Sequence, residues 1–539
     1  MAQPNPAKRS LLNIATIVAF ATLLSKFFGL LRQVVIAAAF GVGAAYEAYN
    51  YAYILPGFLL ILLGGINGPF HSAIVSALAK RDQQGAQNLI ATTTTIVSAF
   101  LLAIAILLFV FAAPLVDSVA PGLGSNANGE TVRAIAIQQF QIMAPLAVLS
   151  GLIGIGFGSL NAVDCYWLPS VSPLISSITL IGGIGVLWLS LGENITLPAY
   201  ALVGGQVLAW GTLIGGLLQW LVQLVAQWQA GLGGLKLRFN LQEPGLRDVL
   251  KVMAPATLSS GMLQINVYTD LFFASYIPQA AAALGYGGLL MQTPLGIVSN
   301  VILVPLLPLF SRLRDPADWP ELKQRIRQGL LLTALTMIPL SALMMVLAKP
   351  IVQIVYERYA FDPGASALVA QILVAYAVGM FVYLARDILV RVYYALGDGQ
   401  TPFRISVFNI FLNAGLDFAL TNIYGAPGLV LATVGVNLVS LVMLLWSLNR
   451  QLGGLPLASW TVEILKLVLV SAIAAGVSGS VSFGFEQVGQ NLGAWKVVGQ
   501  LLASSVAGVG ILVLLIPRLG IAEVDLLSQQ IQRKLARSK

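Results

Sequence analysis

The stretch SKFFGLLRQ holds Lys26 and Arg32 inside a run that is otherwise apolar from Leu11 to Phe40. If that run crosses a bilayer, each cation costs about 2.5–3.5 kcal/mol on insertion scales, so an intramembrane Lys or Arg reads as functional by default. Six residues of helix separate the two by about 9 Å along the axis and roughly 120° around it. Long side chains still let both charges reach one cavity. The blander reading is that they snorkel to the membrane edge or pair with an acid.

A second set of residues suits a cation instead. In FLNAGLDFAL, Asn413 and Asp417 are four apart and share a helix face. Asp270, from NVYTDLFFAS, falls in the matching half of an earlier apolar run, and Thr433 in LVLATVG follows shortly after. Hard cations take such oxygen ligands, and buried carboxylates need a cation or a proton to neutralise them. A structural hydrogen-bond cluster is the alternative. The other ionisable groups inside apolar runs are Glu47, Arg386, Asp387 and Arg391. Of these, Arg386 and Asp387 can simply pair with neighbours.

These groups must be positioned by membrane helices. Of 539 residues, 58% are hydrophobic and 9% charged, with mean hydropathy +0.86, whereas soluble domains are about one-quarter charged. A helix needs roughly 20 apolar residues to cross a bilayer, and about fourteen such stretches recur along the chain, which excludes a barrel of short alternating strands. The fold expected is an all-α polytopic membrane protein. Its first run, after Lys8 and Arg9, is too long for a signal-peptide core and has no clear cleavage site, so it is expected to be a retained helix.

With both termini on one side, about 22 of the 29 Lys and Arg fall on that side, which predicts cytoplasmic termini by the positive-inside rule. That bias accounts for the net charge of +8 and gives no reason to invoke nucleic acid. The chain also echoes itself. ATLLS at Ala21–Ser25 returns as ATLSS at Ala256–Ser260, Pro56 as Pro294, and Pro169 as Pro402, six spans apart each time. Six is even, so the halves are expected to share orientation about an axis along the membrane normal, as in transporters with parallel repeats. The division predicted is a six-helix lobe over 1–230, a linker over 231–245, a second six-helix lobe over 246–452, and a terminal helix pair with a tail over 453–539. Gly64, Gly65, Gly68 and Pro69 in the second span, and Gly285, Gly287, Gly288 and Pro294 in the eighth, suggest interrupted helices. SRLRDPADWPELKQRIRQ, Ser311 to Gln328, is expected to begin a surface amphipathic helix, and the tail beyond Arg518 is also amphipathic.

Enzyme chemistry is poorly supported. There is no G-x-x-x-x-G-K-[ST] and no zinc spacing. His71 is the sole histidine and Cys165 the sole cysteine, so His71 is expected to make a polar packing contact and no intrachain disulfide can form. Transport is the class that fits.

SKFFGLLR (Ser25–Arg32), NVYTDLFFASYIP (Asn266–Pro278), YERYAFD (Tyr356–Asp362) and above all RVYYALGDGQTP (Arg391–Pro402) resemble the MurJ, or MviN, lipid II flippase family of the multidrug/oligosaccharidyl-lipid/polysaccharide exporter superfamily. The resemblance spans essentially the whole chain. It implies fourteen helices and a central cavity for the headgroup of a lipid-linked peptidoglycan precursor. It implies that Lys26 and Arg32 are cavity cations, with Lys26 replacing the more usual arginine and lacking its bidentate fork. It further implies a sodium site at Asp270, Asn413, Asp417 and Thr433 with the Leu429 carbonyl, and puts Glu47 where the family usually has Asp. The family's further arginine in span two aligns with Leu62 or Leu63, its A-D-R-L of span eight with Gly287–Leu290, and its Asp after the second cation with Gln33.

The expectation is thus a flippase of the bacterial cytoplasmic membrane serving cell wall biogenesis. Its substrate-binding residues would be Lys26, Arg32, Glu47 and Arg386, and coupling to sodium, membrane potential or both is expected. Its partners would be the lipid-linked glycan, membrane lipids and cell-wall synthesis proteins. A flippase for another polyprenyl-linked oligosaccharide, a cation-coupled multidrug exporter and a non-transporting scaffold are the rivals.

Overall fold

The computed structural model describes residues 11–65, 69–78, 81–125, 129–488, 495–521 and 523–524. Lys8, Arg9, Gly68 and the tail beyond Val524 lie outside the described residues. Those described are helical, joined by loops and turns, with no strand among them. Long apolar runs have little choice here, because in hydrocarbon a helix satisfies its backbone polar groups within itself.

The chain packs into two compact units. The first holds α1 (Leu11–Phe40), α2 (Ala44–Gly64), α3 (Pro69–Leu78), α4 (Gln83–Val110), α5 (Ala112–Val119), α6 (Gly129–Met143), α7 (Leu146–Ala162), α8 (Trp167–Val171), α9 (Pro173–Leu191), α10 (Ala201–Gln229) and α11 (Leu246–Ala274). It runs to Ala282 and also takes in Arg358–Phe361. The second holds most of α12 (Ala280–Ser311), then α13 (Trp319–Tyr356), α14 (Pro363–Leu396), α15 (Gln400–Tyr424), α16 (Ala426–Gln451), α17 (Leu457–Val488) and α18 (Trp495–Leu515). Packing therefore keeps α11 with the first unit, so the compact units divide later than the 231–245 linker expected from the repeat.

Eleven helices among the described residues are long and apolar enough to cross a membrane, or twelve when the bent pair α6–α7 counts as one span. Fourteen were expected. The stretches outside that set are α2, rich in Tyr with Asn50 and Glu47, and α11, with Asp248, Lys251, Asn266 and Asp270. Both owe their lower hydropathy to polar residues of the kind that line sites.

Chain ends of helices are set by short-range chemistry. Asp82 accepts from Gly85 N at 3.1 Å and Asp362 from Ala365 N at 2.7 Å, the side-chain capping that orphan amides require. Gly397, at φ +83°, closes α14 in the left-handed conformation that favours glycine. The second span is interrupted as expected: α2 ends at Gly64 and the chain is extended at Gly65. The eighth is not, since α12 runs continuously through Pro294, Pro305 and Pro308. The expected surface helix is instead the opening of α13, where Leu322 and Ile326 are buried while the Glu321–Arg325 pair at 3.0 Å is exposed.

In the second unit, α17 and α18 dock on α13, and α14 packs on α13 and α16. The Tyr393 hydroxyl donates to the Leu444 carbonyl at 2.9 Å, tying α14 to α16.

Candidate functional site

Arg32 lies on α1 where it meets α2. Its side chain is partly buried, its Nε is fully buried, and among the described residues that Nε has no hydrogen-bond partner. Facing it electrostatically are the phenols of Tyr46, Tyr49 and Tyr53. These lie at i, i+3 and i+7 of α2, hence on one helix face, and their rings stack at 6.2 and 5.3 Å. Tyr46 accepts a hydrogen bond from Gln33 and Tyr49 exchanges one with Thr212 at 2.9 Å. No carboxylate pairs with Arg32 or Lys26 among the described residues. Such a guanidinium keeps donor capacity for an anion, beside phenols that supply further hydroxyls. Lys26 is exposed and shares a face with exposed Leu23 and Phe27, so the two cations do point apart on α1. The tyrosine face was not singled out from the sequence, although its spacing is the signal that carries it.

Glu47 is 4% exposed, with its carboxylate already engaged. It accepts from Ala281 N at 3.3 Å, from Ala282 N at 2.7 Å and from the Tyr51 hydroxyl at 3.2 Å. The two amides belong to the first turn of α12, whose positive dipole end favours an anion. That arrangement makes Glu47 an anchor for α12.

Arg386 on α14 donates from Nε to Ser440 Oγ at 3.3 Å and lies 3.4 Å from Asp387. Arg391 donates to the Leu303 carbonyl at 3.4 Å. Leu62 and Leu63 are buried at 5% exposure each. At Gly287 a Cβ would come within 2.7 Å of Ile372. These positions are closely packed.

The oxygen-rich set divides between the units. Asn413 and Asp417 are both fully buried on α15, and Asn413 Nδ2 donates to Asp417 Oδ2 at 2.8 Å. Against α15 packs α16, where Thr433 Oγ donates to the Leu429 carbonyl at 3.3 Å and the Thr433 carbonyl accepts from Asn437 at 2.7 Å. Asp270 is half-buried on α11, in the first unit. The donors on α15 and α16 are all oxygens, which suits a hard cation. His71 makes the expected polar contact, 2.8 Å from Asn161 Nδ2.

Many long apolar helices among the described residues, a carboxylate anchored at a helix start and partly buried arginines inside those helices define a multi-pass membrane protein. Solved structures share that fold. The fold matches "Lipid II flippase MurJ, inward closed conformation" with TM-score 0.74 at 22% identity, covering 93% of this chain and 97% of that one. It also matches an inward-facing multidrug resistance MATE family transporter of the MOP superfamily with TM-score 0.58 at 16% identity, over 81% and 98%. The sequence narrows the class: the family model described as "Lipid II flippase MurJ" matches residues 36–494. The "Probable lipid II flippase MurJ" of Synechocystis is 56% identical over the full length of both chains. The "Lipid II flippase MurJ" of Burkholderia cenocepacia is 28% identical over 87% of this chain and 89% of its own. This chain belongs to the MurJ family.

Proposed function

We propose that this protein carries lipid II, a lipid-linked anionic glycan precursor, from the inner to the outer leaflet of the cytoplasmic membrane by alternating access. Family membership supports the reading, and one observation carries its chemistry: a partly buried arginine in a membrane helix, its Nε without a hydrogen-bond partner among the described residues, next to Gln33, which bonds Tyr46 of a stacked tyrosine face. Charge-assisted hydrogen bonds from Arg32, and attraction from Lys26, would hold the pyrophosphate while the polyprenyl tail stays in lipid. Glu47 is assigned to holding α12, and Arg386 to a supporting position near Ser440. The termini are cytoplasmic by the Lys/Arg bias, and proteins of cell-wall synthesis are the partners this activity implies.

A monovalent cation such as sodium fits Asp417, the Asn413 amide oxygen, the Thr433 hydroxyl and the Leu429 carbonyl, all within the second unit. It would supply the positive charge that a buried carboxylate needs. Each charge carried through the full field adds about 2.3 kcal/mol per 100 mV.

The test is a headgroup-specific flipping assay in vesicles. Lys26→Ala with Arg32→Ala should abolish lipid II translocation, and Arg32→Lys should retain part of it; intact flipping in the double variant would refute the assignment. Sodium dependence should vanish in Asp417→Ala. A different polyprenyl-linked glycan is the reading favoured by Leu62, Leu63 and Gly287 standing at charged family positions, and the same assay run with that substrate decides it.

A further inference from the structure

Outside the candidate site, a groove on the first unit has the chemistry of a lipid-binding site. After α10 the chain turns through Gly231 and Gly233, both at positive φ, and runs without regular secondary structure through 240 alongside α4. Side chains of α4 clamp this strap. Gln87 donates to the Gly231 carbonyl at 2.8 Å, Thr95 Oγ accepts from Arg238 N at 3.0 Å, and the Arg238 guanidinium bonds Asn88 and Glu243.

The clamped strap turns its apolar residues outward. Leu235, Leu237, Phe239 and Leu241 are 64%, 89%, 75% and 81% exposed. In water that row would be an unfavourable apolar stripe. Its position resolves this. A hydrocarbon slab about 30 Å thick measured from Val110, the far end of α4, ends near Ile90 at about 1.5 Å per residue. The strap is held at Thr95 and Asn88, so it lies at that boundary, where leucines and phenylalanine face lipid.

Between the strap, α4, α7 and α10 is a groove of about 420 Å³. Its lining includes Lys236, Thr94 and Ser98, none of which has a side-chain partner among the described residues. Apart from Thr95 the remaining lining is apolar, with Trp220, Leu152 and Leu102 joined by Leu235, Leu237 and Phe239 of the strap, which edge the groove where it opens to lipid. A cation and two hydroxyls in an otherwise mostly apolar groove near the headgroup level match one kind of occupant. We infer that this groove binds an anionic glycerophospholipid of the membrane, its phosphate on Lys236 and an acyl chain along Trp220 and Leu152.

The test uses the full-length protein in vesicles of phosphatidylcholine doped with dibrominated lipid, reading the fluorescence quenched in wild type but absent in Trp220→Phe. Brominated phosphatidylglycerol should quench this Trp220 component with about fivefold preference over brominated phosphatidylcholine, the factor one basic residue contributes against anionic lipid. Lys236→Gln should bring the ratio to about one, and Lys236→Arg should retain it, showing that a cation is what counts. Equal quenching by the two lipids in wild type, or a preference surviving in Lys236→Gln, overturns the inference. Quenching by neither lipid would mean that the groove is shut or filled by protein, and overturns it equally. The readout does not depend on flipping.

Discussion

At the scale of single residues, burial decides which charges matter. Arg327 on α13 bonds Glu463 at 2.6 Å and Glu523 at 2.7 Å, with Glu523 only 5% exposed. Removing the guanidinium strands two carboxylates, so Arg327→Ala should cost about 2–3 kcal/mol, somewhat below the roughly 3–5 of a fully buried pair. Adding Glu463→Gln and Glu523→Gln should recover part of that loss in a thermal melt, because the coupling is between neighbours. Asp398 shows the same logic outside the membrane. Partial burial pushes its carboxyl up, but the Thr401 hydroxyl at 2.6 Å, the amides of Thr401 and Gln400, and Arg404 outweigh that and hold it below the usual carboxylate range. A depressed folded pKa stabilises above the unfolded value of about 3.9 and loses that contribution as pH falls through the lower folded value. The melting difference between wild type and Asp398→Ala should therefore be full near neutral pH and shrink as pH drops below about 4. In these terms the YALGDGQTP motif is a helix stop at Gly397 followed by a helix start at Gln400.

At the scale of elements, the joints are tighter than the helices. Gly41 ends α1 at φ +53°, a Cβ there would lie 2.3 Å from the Ala360 carbonyl oxygen, and Ala360 N donates to Ala38 O at 3.1 Å. Gly192 has a similar φ of +58° with open space around it. Gly192→Ala should thus show only the left-handed strain of about 1–2 kcal/mol, and Gly41→Ala should exceed it by the cost of moving the 358–361 segment; equal melting losses would refute the contact. Glu47 likewise joins α2 to the start of α12. A hydrogen bond to a charged group contributes about 1.5–3 kcal/mol, so Glu47→Ala should speed amide exchange at Ala281 and Ala282 by roughly ten- to a hundredfold, while Glu47→Asp should do so less. Unchanged exchange would mean that the turn is held by other contacts. The oxygen-rich face of α15 was legible because a four-residue spacing fixes neighbours within one helix. Glu47's partners, 234 and 235 residues away, were not, because no local period reports a long-range cap.

At the scale of the whole molecule, charge asymmetry and hydropathy govern the path through the membrane. Reporter fusions check the topology: a fluorescent protein should glow at both the N- and C-terminus, and alkaline phosphatase should be inactive at both. A signal of opposite kind at either end would overturn the even span count from which the positive-inside reading starts. Depletion in a cell that relies on this chain should trap precursor in the inner leaflet and cause lysis, whereas a drug exporter would leave wall synthesis intact.

The amino-acid sequence by itself determined the solvent and the class. With 58% hydrophobic residues and apolar runs of span length, only a helical bundle satisfies the backbone in lipid, and the family motifs follow from linear order. It also determined that Lys26, Arg32 and Asp417 would be costly where they stand. Only the tertiary structure decided what each cost is set against. It turned Arg32 to a tyrosine face, gave Glu47 the first amides of α12, and laid the strap at 233–240 along α4 with its leucines outward. Those outcomes depend on which surfaces distant segments bring together, and hydrogen bonding and burial are properties of that meeting, not of position along the chain.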